Sequence, residues 1–93
     1  MLKTYFLIIR ALPSEKNHNA LTVPSVEAHF WVRDKSAEGA LRRARFYLEQ
    51  KDWIPGTVEL SPTLTSAMEY HPSATERANL REAQRFGIAM VLK

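Results

Sequence analysis

Apolar and polar residues alternate along this chain in short runs with a period of two, broken by two longer stretches at helical spacing. Residues 2–11 are rich in aromatic and β-branched types, as in a strand buried on both faces. Phe6 and Ile8 lie on one side of that strand, and Tyr5, Leu7 and Ile9 on the other. Pro13, Ser14, Asn17, Asn19 and Pro24 mark residues 12–24 as a long polar loop. From Ser25 to Arg33 the alternation is clear: Val26, Ala28, Phe30 and Val32 face one way, Glu27, His29, Trp31 and Arg33 the other. The two strands should pair antiparallel as a long-looped hairpin.

The period then changes. Ser36 is placed to cap a helix over residues 37–51, with Glu38 favourable in its first turn. Ala37, Ala40, Leu41, Ala44, Tyr47 and Leu48 form its apolar stripe. Pro55-Gly56 signals a type II turn before a short strand over residues 57–61. Between Pro62 and Pro72 no period emerges, although Leu64, Met68 and Tyr70 suggest packing on the core. Ser73 and Glu76 have capping-box spacing and open a second helix that ends near Gly87. Residues 88–92 make a last apolar strand. The order strand, strand, helix, strand, helix, strand predicts an α+β fold, a single two-layer domain over residues 1–93. Its mixed four-stranded sheet should carry right-handed crossovers.

Composition bounds what such a domain can be. The 93 residues are 45% hydrophobic and 25% charged, the balance of a globular chain. Without cysteine there is no disulfide, thiolate metal site or cysteine nucleophile, which points toward a reducing cytoplasm. The N-terminal apolar run stops at Arg10, too short for a secretory segment, and nothing reads as a membrane span. A net charge of +3, carried by eight arginines and five lysines, is compatible with an anionic partner.

The joint Trp31-Val32-Arg33-Asp34-Lys35-Ser36-Ala37-Glu38 resembles that of small bacterial ferredoxin-like domains of no assigned activity. The tail Leu80-Arg81-Glu82-Ala83-Gln84-Arg85-Phe86-Gly87-Ile88-Ala89 is similar to the closing helix and strand of such domains. Together they span about a third of the chain. The resemblance implies a compact α+β layer and a homodimer, and no activity. The order departs from the ferredoxin-like one, with no helix between the first two strands.

Two groups of residues could carry chemistry. Glu27, His29, Trp31 and Arg33 share a strand face and combine a base, an acid, an aromatic ring and a guanidinium, as in a small-ligand or cofactor-free catalytic site. The plainer reading is a half-solvated face or a subunit contact. Trp31 favours the contact: if the helices cover one side of the sheet, the other exposes apolar area that a second subunit would cover. The second group is Arg42, Arg43 and Arg45 around Phe46, with Arg77, Arg81 and Arg85 as a ridge on the second helix. Such residues suit phosphate contacts and base stacking, against the alternative of a solvated, salt-bridged face.

His18 is expected in solvent and His71 at the turn before the second helix; no metal motif and no cofactor signature occurs. The sequence thus reads as a soluble cytoplasmic homodimer that binds or assembles rather than catalyses. A nucleic-acid-binding module is the alternative, and a small-ligand site around His29 and Trp31 the third reading.

Overall fold

A computed structural model describes residues 1–18, 20, 22–67 and 74–93. The elements are β1 (Lys3–Pro13), β2 (Val26–Asp34), α1 (Ala37–Gln50), β3 (Trp53–Leu64), a 3₁₀ turn (Thr65–Ala67), α2 (Ala74–Phe86) and β4 (Ile88–Leu92). The α+β class and the element order are those expected from the periodicity. The turn at His71, the cap at Ser73, and Met68 and Tyr70 lie outside the described residues.

The sheet order is β3-β1-β2-β4. All three pairings are antiparallel, so the sheet is not mixed as expected. The reason is topological. β1 sits between β2 and β3, so these two parallel strands never pair with each other. The rule for right-handed parallel crossovers therefore applies only to β2–α1–β3. β4 returns along the far edge, antiparallel to β2.

The sheet and α1 form the two-layer body that holds the main core. Tyr5, Leu7, Ile9 and Ala11 of β1, with Ala28, Phe30 and Val32 of β2, bury against Ala40, Ala44 and Leu48 of α1. Both alternations place the faces as expected. A fully buried Leu or Phe at such a site contributes about 1.5–3 kcal/mol. Ser36 caps α1 as expected, its hydroxyl accepting from the Gly39 amide at 3.0 Å. The apolar stripe is narrower than the spacing indicated: Leu41 and Tyr47 are half-buried, and Ala37 is exposed.

Two boundaries differ from the sequence reading. Pro55-Gly56 lies inside β3 rather than in a turn; the reversal falls at Lys51–Asp52, where Asp52 adopts φ 64°. β3 then runs on through Pro62 to Leu64, well past the expected end. Proline is tolerated here because β3 is an edge strand, with one side unpaired.

α2 packs on β4 and β2, on the face opposite α1. Trp31, Ala83 and Ala89 form a second buried cluster, flanked by Phe6, Leu80 and Val91. Trp31 is only 2% exposed. The expectation that a second subunit covers this residue is therefore overturned: the chain's own second helix crosses to the other face and covers it.

Candidate functional site

The face of Glu27, His29, Trp31 and Arg33 runs from a buried Trp31 to a Glu27 side chain that is 39% exposed. His29 Nε2 lies 3.1 Å from Glu27 Oε1, and its ring leans on Phe6 with centroids 5.7 Å apart. Trp31 stacks at a tilt against the same Phe6, centroids 5.0 Å apart. Its buried Nε1 has no hydrogen-bond partner among the described residues. Arg33 Nη1 donates to the Gln84 carbonyl at 2.6 Å, satisfying one of the free carbonyls in the last turn of α2. The four residues are neighbours, as the alternation requires, but none of five open hollows on the surface is lined by His29 or Trp31.

Sequence reasoning missed the residue that organises this face. Arg10 of β1 donates from Nε to Glu59 of β3 at 2.5 Å and from Nη2 to Glu27 of β2 at 3.3 Å. The hydrogen bond to Glu59, with the charges of Glu59 and Glu27, holds the guanidinium above its usual pKa. Cross-strand pairing could not be read before the register of β1 with β3 was known. That register carries three shifts.

The six arginines of the other group are divided. Arg43 Nη1 donates to the Arg33 carbonyl and lies 3.9 Å from Asp34, tying α1 to the end of β2. Arg42 and Arg45 flank an exposed Phe46 on α1. Arg77, Arg81 and Arg85 are exposed on α2, with Arg85 5.1 Å over the Phe86 ring. Because α1 and α2 lie on opposite faces of the sheet, the two sets do not make one basic surface.

Two open hollows lie along the flank between α1 and β4, and others lie on the outer sides of α1 and α2. A hollow of about 420 Å³ is lined by Arg42, Arg43, Phe46, Tyr47, Gln50 and Ile88. A second, of about 310 Å³, lies further along β4, among Lys16, His18, Lys51, Asp52, Met90 and Leu92. Lys51 Nζ sits 5.5 Å over the Tyr47 ring, so these two side chains stand between the hollows. His18 is exposed, as expected.

The floor of this flank is β4 itself. Glu27 and Lys93 exchange both backbone hydrogen bonds, at 3.0 and 2.9 Å, and Arg33 donates to the Gly87 carbonyl at 2.9 Å. Alternation along an antiparallel ladder then turns the N–H and C=O groups of Ala89 and Val91 toward β2. Those of Ile88, Met90 and Leu92 point to the open edge, and their side chains share the α1 face with their partners Val32, Phe30 and Ala28. One flank thus offers backbone groups without a partner among the described residues, apolar side chains and a basic rim.

The chain matches no family model, no curated protein and no solved structure. No helix among the described residues is long and apolar enough to cross a membrane. Among the described residues no three His, Asp or Glu side chains gather as metal ligands.

Proposed function

We propose that this protein is a binding or assembly domain that presents β4 as an open strand edge to another polypeptide. The contrast between its two edges carries the reading. β3 is blunted: Pro55 and Pro62 lack an N–H, Glu59 adds charge, and the pairing with β1 is irregular. β4, Ile88-Ala89-Met90-Val91-Leu92, has no proline, no charge and an unbroken register with β2. Edges left in that state are templates for a further strand unless the protein uses them. Phe46, 58% exposed, and Leu92, 39% exposed, add apolar area on the same flank.

A homodimer joined through two β4 strands is one form of such assembly. The outward residues are symmetric about Met90, so an antiparallel pair of copies leaves none of them unpaired. Amide hydrogen exchange tests the reading. On adding a strand-forming peptide, or on concentrating the protein, Ile88, Met90 and Leu92 should gain protection. Met90→Pro should lose that gain while Ala89 and Val91 stay protected, because the Met90 N–H takes no part in the β2 ladder. Outward amides that exchange freely under every condition would overturn the proposal.

A further inference from the structure

We infer that the occupant of the β4 edge is an extended, acidic segment of a different polypeptide, a conclusion that rests on reading β4 as a docking edge. The outward groups of Ile88, Met90 and Leu92 supply three donors and three acceptors in a row, which only an extended backbone can match. Every second side chain of an added strand would fall on the α1 face. There it meets Ile88, Met90 and Leu92 along the strand, with Phe46 and Tyr47 above, so those positions should be apolar.

Charge selects the partner. Arg42 and Arg43 stand at the Ile88 end of the flank, and Lys16 and Lys51 at the Leu92 end. The carboxylates nearby are Asp52, which lines the second hollow, Asp34 near Arg43, and Glu15 and Glu49, which share a neighbouring hollow with Lys16 and stand outside the β4 lining. A second copy docked antiparallel about Met90 would set Arg42 of one copy toward Lys51 and Lys16 of the other. Like charges so placed oppose pairing, whereas acidic residues at either end of an apolar strand meet a cation at both. Such contacts are screened as salt rises.

The test uses the full chain and two synthetic peptides with valine and isoleucine at alternate positions. One carries glutamates at both ends, the other lysines. The glutamate peptide should bind and protect Ile88, Met90 and Leu92 against exchange. Its affinity should exceed that of the lysine peptide by about tenfold or more at low salt. Arg42→Glu with Lys51→Glu should abolish or invert the preference; protected Ala89 and Val91 amides would show that this variant is folded. Equal binding of both peptides would overturn the acidic partner and keep the open edge. Protection that appears only as the protein is concentrated, with neither peptide bound, would assign the edge to a second copy. Lack of protection in every arm would overturn both readings.

Discussion

The Arg43 guanidinium fills the space that a side chain at residue 87 would need. A Cβ on Gly87 would stand 2.9 Å from Arg43 Nη2, and Gly87 itself has φ 91°. The joint between α2 and β4 thus depends on a residue without a side chain, pressed by an arginine from the helix on the other face. Gly87→Ala should cost about 1–2 kcal/mol from backbone strain alone. Thermal unfolding would show it as a lower Tm. An unchanged Tm would mean that the joint relaxes without cost.

Leu48 and Leu41 should separate sharply under truncation. Leu48 is fully buried beneath the sheet, so Leu48→Ala should destabilise by about 2–4 kcal/mol. Leu41 is half-buried and borders an open hollow on α1, so Leu41→Ala should cost only about 1 kcal/mol. Urea unfolding of both variants measures the difference. Equal losses would show that the outer side of α1 is covered.

Trp31→Glu should unfold the protein rather than split an assembly. A carboxylate at this 2%-exposed site under α2 would be a buried charge without a partner, costing about 3–5 kcal/mol. That is much of the roughly 5–10 kcal/mol available to a domain of this size. Circular dichroism decides the matter: a folded variant of altered sedimentation would return Trp31 to a subunit interface.

Arg10→Gln removes the centre of the Glu59–Arg10–Glu27 ladder across three strands. The site is partly exposed, so the loss of Tm should be small at low salt and smaller still at high salt. The pH dependence follows in sign from the raised pKa of Arg10. Its stabilising effect is fully present below the usual arginine value and is lost only as pH rises through the higher folded value. No arginine titration should therefore mark the stability profile anywhere below about pH 10, because arginine stays charged throughout that range. An alkaline loss of stability in the wild type alone, below pH 10, would contradict this.

Arg81→Gln with Arg85→Gln should leave Tm almost unchanged, since neither guanidinium holds an ion pair with a described residue. Oligonucleotide binding, if measured at low salt, should change its log–log salt slope by less than about 2 on this substitution, two phosphate contacts at most. A larger change would mean that the basic sets on the two faces act together.

What the sequence determined alone were the local choices. Alternation set Tyr5, Leu7 and Ile9 apart from Phe6 and Ile8, and put Val26, Ala28, Phe30 and Val32 on one face of the second strand. Helical spacing and the Ser36 cap placed α1, and Gly87 the end of α2. These follow from side-chain direction and backbone freedom, which neighbours in the chain decide. The break in pattern that makes Phe46 an outward aromatic was visible in the same way.

Tertiary structure decided which element covers which face. Nothing local distinguishes a helix that joins α1 from one that crosses the sheet, yet that choice buries Trp31 and divides the arginines. It also decided the edges. Whether Ile88-Ala89-Met90-Val91-Leu92 lies in the middle or at the rim depends on long-range pairing, and the same five residues serve either place. The Arg10 ladder needed the bulged register of β1 with β3, which no run of residues encodes. The candidate surface between α1 and β4 is made by parts far apart in the chain, so only their packing brings it into existence.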